Sequence, residues 1–164
     1  MAARARAFPS AVPTPPASRP RLSRSVGAVV PAWLEPRLGS ANLRVVDVRA
    51  GEAHEEAFRR RHLPGAVLLD VQAQLFDTGG GVVSAPELAM VMSTLGVGDS
   101  HTIVLVDDGP PDAALTAAWA LDRYGHHDVY VLDGGITRWV AEGRPVTREV
   151  VRHPPASFTA KVSA

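Results

Sequence analysis

Ile103–His126 reads IVLVDDGPPDAALTAAWALDRYGH. Its four leading apolar residues, Ile103–Val106, predict a short strand of the kind buried on both faces. Asp107-Asp108-Gly109-Pro110-Pro111 then carries the turn formers that break such a strand. From Asp112 to Tyr124 the chain is rich in Ala and Leu and predicts a helix, capped by Asp112 and stopped at Gly125. Leu115, Ala118, Trp119 and the intervening small alanines give that helix a face able to pack closely on a sheet. Strand, tight loop and helix together display a loop residue at a helix N-terminus, where free N–H groups favour an anion.

Outward from this unit the alternation repeats. Leu43–Val48 predicts a strand through its β-branched Val45, Val46 and Val48. Glu52–Arg61 is charged and helix-compatible, His62-Leu63-Pro64-Gly65 is a turn, and Ala66–Leu69 is a second short buried strand. Gln72–Gly81 reads as a loop, since Gly79-Gly80-Gly81 is too flexible for a regular element. Ser84 and Glu87 form a capping-box pattern ahead of Leu88, Val91, Met92 and Leu95, which follow helical spacing to Gly96. Val129–Leu132 predicts a further strand and Ile136–Glu142 a last helix ending at Gly143. Trp33, Leu34 and Leu38 form a short helix-like stripe within Val29–Leu38. These spacings predict an α/β fold: a single domain over 26–149 with a mainly parallel central sheet flanked by helices. Residues 150–164 read as a linker-like tail.

The bulk properties narrow the function. The chain has 164 residues, enough for one domain, and no cysteine, so disulfides, thiolate metal sites and thiol chemistry are excluded. A formal net charge of zero argues against a nucleic-acid partner, and the apolar runs are too short for a membrane span. Residues 1–34 nevertheless hold five arginines and no acid, leaving 12 bases against 17 acids, or −5, in the remainder. The leader over 1–25 is expected to be disordered or a targeting segment. A cytoplasmic location is expected, with an organelle as the alternative if the leader is a transit peptide; the proline content of the first 36 residues opposes the amphipathic helix that mitochondrial import prefers.

Several separated segments resemble a rhodanese domain. Val45-Val46-Asp47-Val48-Arg49 resembles the family's first strand with its Asp-x-Arg ending, and His62-Leu63-Pro64-Gly65-Ala66 its "HIPGA" turn. Val131-Leu132-Asp133-Gly134-Gly135 with Trp139 resembles its C-terminal signature, followed by Gly143-Arg144-Pro145 for "GxP". Pro31-Ala32-Trp33-Leu34, the Asp-Asp-Gly loop start and Arg123-Tyr124-Gly125-His126 resemble, more narrowly, the non-catalytic N-terminal domain of two-domain thiosulfate or 3-mercaptopyruvate sulfurtransferases. In those proteins the first domain usually lacks the cysteine, often with aspartate in its place, and the second carries the thiol.

The resemblance implies that Asp107 occupies the nucleophile-equivalent position. Rhodanese chemistry needs a thiolate that accepts a sulfane sulfur, held in a cradle of backbone N–H groups. A carboxylate forms no stable persulfide. Pro110 and Pro111 contribute no N–H, Asp107, Asp108 and Asp112 repel an anion, and Thr116 stands where many relatives have arginine. Asp107, Asp108, Gly109, Pro110, Pro111 and Asp112 therefore read as a degenerate active-site loop, without catalytic residues. The expected function is a sulfurtransferase-family domain inactive alone, structural or regulatory. Its expected partner is a catalytic rhodanese domain that carries the cysteine; the alternatives are activity only when so paired, or a truncated gene product.

Other readings of the same residues weigh less. The three loop aspartates could hold a divalent cation, but the full ligand set is missing, and a solvated turn with a helix cap is preferred. Asp107-dependent hydrolysis, with or without such a cation, would need turnover that Asp107→Ala abolishes. Asp47 and Arg49 could be an acid and an anion clamp; a structural ion pair is preferred. Asp133 ahead of Gly134-Gly135 is read as a turn former, His62 and Gly65 as turn residues, and Trp119 and Trp139 as packing residues. His126-His127 lacks a nearby third ligand, so neither a metal nor a cofactor is expected.

Overall fold

A computed structural model describes residues 26–51 and 53–161 of the chain; the leader assigned to 1–25 lies outside them, as do the last three residues of the tail. The elements are β1 (Gly27–Val29), α1 (Pro31–Leu34), a 3-10 turn (Glu35–Arg37), β2 (Leu43–Asp47), α2 (His54–Arg60), β3 (Val67–Leu68), α3 (Val71–Leu75), α4 (Ala85–Thr94), β4 (Thr102–Val106), α5 (Asp112–Arg123), β5 (Val129–Leu132) and α6 (Gly135–Ala141). The strands form one five-stranded sheet in the order β1-β5-β4-β2-β3. Every neighbouring pair is parallel, so the sheet is parallel throughout.

The strands are apolar on both sides because both faces are covered. Val46, Ile103, Leu105, Val129 and Val131 join Leu75, Leu88, Met92, Ala117 and Leu121 of α3, α4 and α5 in one cluster. Val45, Val104, Val106 and Leu132 join Leu34, Phe58, Ile136 and Trp139 of α1, α2 and α6 in the other. Successive strand residues thus feed opposite layers, as the pleat requires.

The helix-like stripe over Val29–Leu38 holds α1 and the 3-10 turn, and β1 runs ahead of it as an edge strand paired in register Gly27↔Tyr130. Glycine is needed there, because a Cβ on Gly27 would stand 2.8 Å from the Tyr130 ring. One expectation, the loop over Gln72–Gly81, needs correction, since that stretch contains most of helix α3. Its cap is Asp70, whose carboxylate accepts from Ala73 N at 3.1 Å, and its buried anchors are Val71 and Leu75. Only the later part turns freely, with Asp77 Oδ1 accepting from Gly79 N and Gly81 N.

Residues 150–161 hold no regular element and most are exposed, but a few contacts anchor them to the domain. Phe158 is buried and stacks on His126 with ring centroids 5.1 Å apart. Thr159 N donates to Asp99 Oδ1 and Lys161 N to Tyr124 O. Without a repeat period, a single aromatic and a few edge-on backbone bonds hold this segment.

Candidate functional site

The C-terminal ends of the strands carry a row of aspartates. Asp47 closes β2, Asp107 follows β4, Asp133 follows β5, and Asp70 lies two residues beyond β3. Ligands of open parallel sheets gather at this edge. Here each carboxylate is already engaged by the chain's own donors.

Asp107 lies at the centre of the row and is only 6% exposed. Its Oδ1 accepts from Asp108 N at 2.8 Å and its Oδ2 from Ala114 N at 2.9 Å. Ala114 is the third residue of α5, one of the helix donors that lack an intrahelical acceptor. Asp107 therefore caps α5 from across the loop, its carboxylate satisfied by two backbone N–H groups. This corrects the expectation that Asp112 is the cap. Asp112 is already the first helical residue, and Pro111 at the cap position makes no side-chain bond. Thr116, also buried, donates from Oγ1 to Asp112 O at 2.9 Å and so presents no anion partner.

The loop is fixed from above by α6. Ile136 N donates to Asp107 O at 2.8 Å and Thr137 N to Asp108 O at 2.9 Å. Gly134 and Gly135 both have positive φ, and Gly135 lies against the Asp107 and Asp108 carbonyls so closely that no Cβ fits. Asp133 pairs with Arg138 at 2.9 Å, and Arg138 in turn with Glu142 at 2.8 Å. The Asp-Gly-Gly segment is thus the seat on which the central loop rests.

Burial pushes the Asp107 carboxyl up to about 6, and the Asp108 charge adds to the rise, against the opposing pull of the Ala114, Asp108 and Ala113 N–H groups. The unfolded chain releases the same proton near 3.8. Asp107 thus contributes stability that is full below about pH 4 and is lost as pH rises through 6, on the order of 3 kcal/mol. Urea unfolding of the protein and its Asp107→Asn variant between pH 4 and 8 is expected to show that difference, flattening above roughly pH 7. A pH-independent difference would mean that Asp107 ionises as in water.

Asp47 and Arg49 form a buried bidentate pair, with Nη2 to Oδ2 at 2.9 Å and Nε to both oxygens at 3.1 Å. Arg49 N also donates to Asp47 Oδ1, and Arg49 Nη2 to Arg61 O at 2.8 Å. The pair ties the end of β2 to the end of α2 and commits Nε and Nη2 of Arg49 to partners within the chain. Fully buried His62 stacks on Phe58, and its two ring nitrogens lie 2.7 Å from the carbonyl oxygens of Phe58 and Glu149. Gly65 turns with φ +82°, and Trp139 donates from Nε1 to Pro145 O at 2.7 Å. Pro110 and Pro111 are exposed, and Gly109 is half-buried beside Thr137.

Two members of the edge were not singled out from sequence. Asp70 caps α3 and also pairs with His54 Nε2 at 3.2 Å. Its Asp-Val-Gln-Ala setting ahead of Leu75 is a usable cap signal. Arg138 braces Asp133, and its spacing to Glu142 is the familiar i,i+4 pair. Among the described residues no three His, Asp or Glu side chains converge as metal ligands.

Comparison with known proteins agrees with this architecture. The family model described as "Rhodanese-like domain" matches residues 30–142. The chain is 33% identical over 127 residues to a sulfur carrier protein, TtuD, of Thermus thermophilus, covering 77% of this chain and 44% of that one. It is 32% identical over 141 residues to a putative thiosulfate sulfurtransferase of Mycolicibacterium smegmatis, covering 85% and 50%. The fold matches a 3-mercaptopyruvate sulfotransferase from Escherichia coli with a TM-score of 0.76 at 24% identity, covering 85% of this chain and 56% of that one. The chain spans about half the length of the curated relatives it matches.

Proposed function

The chain belongs to the rhodanese-like domain family, and on that premise we propose that it is a non-catalytic domain acting by association with a separate, cysteine-bearing rhodanese-like domain. One observation carries this reading. The Asp107 carboxylate accepts from Asp108 N and Ala114 N at the start of α5, the place where, on this reading, an anionic persulfide would be held. Sulfane-sulfur transfer in this family needs a thiolate, and the chain has no cysteine. Two neighbouring residues support the same reading, since Arg49 is held by Asp47 and Thr116 offers a hydroxyl already bonded to backbone.

On this reading, chemistry on thiosulfate or 3-mercaptopyruvate belongs to the partner domain, and this chain supplies a structural or regulatory surface. Relatives named as sulfurtransferases, of which this chain matches about half, support such a pairing. Size-exclusion chromatography of the chain mixed with a cysteine-bearing rhodanese-like domain tests it. Co-elution of the two is expected; separate elution at concentrations of about 10–50 μM, well above a stable Kd, would count against it.

A further inference from the structure

The edge strand β3 pairs with β2 on one side only. Alongside it runs the start of the tail, anchored at two points. The Glu149 carbonyl lies 2.7 Å from His62 Nε2, and the Gly65 carbonyl lies 3.0 Å from His153 Nε2. Between those anchors Val150, Val151 and Arg152 bridge a cavity of about 430 Å³. Phe58, Ala66, Val67, Leu68 and Leu95 give it apolar walls. Among the described residues the charged side chains at the cavity are Glu55, Arg59 and Arg152, with His153 beside them.

This volume falls within the range of small-molecule sites, which combine apolar walls with a few polar groups. The charges favour one sign. Arg59 reaches Glu55 at only 3.8 Å, both exposed, and Arg152 has no ion-pair partner among the described residues. Val150 is 58% exposed although it borders an apolar cavity, a placement that an occupying ligand would relieve. The two anchors also give the His-Leu-Pro-Gly turn a role outside the Asp107 loop: it positions the tail over the cavity.

We propose that this cavity binds an organic monoanion with a medium-sized apolar body, such as an aliphatic or aromatic carboxylate. The body lies against Phe58, Val67 and Leu68, and the anionic head meets Arg152 and Arg59. None of the residues of the Asp107–Asp112 loop lines this cavity.

Fluorescence titration with 8-anilinonaphthalene-1-sulfonate, competed by decanoate, tests the assignment on the full chain. A saturable signal displaced by decanoate is expected, with decanol competing at least about fivefold less well, the effect of roughly 1 kcal/mol of charge recognition. Arg152→Glu and Val150→Asp, both at exposed tail positions, are each expected to weaken binding by about fivefold or more without changing the far-ultraviolet circular dichroism. No saturable binding, equal competition by decanol, or unchanged affinity in both variants would each overturn the proposal.

Discussion

Asp47→Ala is expected to destabilise the domain by about 3–5 kcal/mol, the cost of leaving a buried guanidinium without its counter-charge. Arg49 is 6% exposed and Asp47 fully buried, so water cannot replace the lost carboxylate. At roughly 2–4 °C per kcal/mol for a domain of this size, Tm should fall by about 10 °C. The double variant Asp47→Leu with Arg49→Met should recover part of the loss, because it removes both charges together. Recovery stays partial, since Arg61 O then loses the 2.8 Å bond from Arg49 Nη2. Urea unfolding of the single and double variants measures both effects. A single variant within about 1 kcal/mol of the parent would contradict the structural role of the pair.

The second large effect is at Gly135. Gly135→Ala places a Cβ against the Asp107 carbonyl oxygen and 2.6 Å from the Asp108 oxygen, at a backbone φ of +60°. The left-handed conformation costs about 1–2 kcal/mol and the overpacking another 1–3, so a loss of about 3 kcal/mol is expected. Gly143→Ala supplies the control. Its φ is +71° but a Cβ there meets nothing within 4 Å, so only the conformational cost of about 1 kcal/mol remains. Equal losses at the two sites would show that close packing of α6 on the central loop contributes nothing.

The fold was legible wherever local pattern and tertiary burial coincide. Val45 and Val46, or Val104 and Leu105, are apolar in succession because each supplies a different layer, and an uninterrupted apolar run announces that. Helix α4 was legible from Ser84 and Glu87, where the Ser84 hydroxyl accepts from Glu87 N and donates to its carboxylate. Helix α3 escaped because five residues show only one apolar pair, Val71 and Leu75, too little to establish a period. Strand β1 escaped because three residues containing a glycine carry little strand signal, and its conformation is set by pairing with Tyr130–Leu132.

At the candidate site, the position of Asp107 was legible and its role only in part. Its carboxylate reaches Ala114, seven residues on, whereas a cap is sought two or three residues before its donor. Asp112, at the expected spacing, was the natural choice. The cap was displaced because Asp107 is carried back onto the helix end by the loop, whose Asp107 and Asp108 carbonyls are bound to Ile136 and Thr137 of a distant helix. That long-range constraint leaves no local trace beyond the two glycines that allow it.

On the proposed reading, the chain's own carboxylate stands where a persulfide would be held, and the chain performs no sulfur transfer by itself. A cyanide-coupled thiosulfate sulfurtransferase assay on the purified, unmodified chain, reading thiocyanate, tests it most directly. The expected result is thiocyanate formation no faster than in the absence of protein. Turnover proportional to the chain's concentration would contradict it.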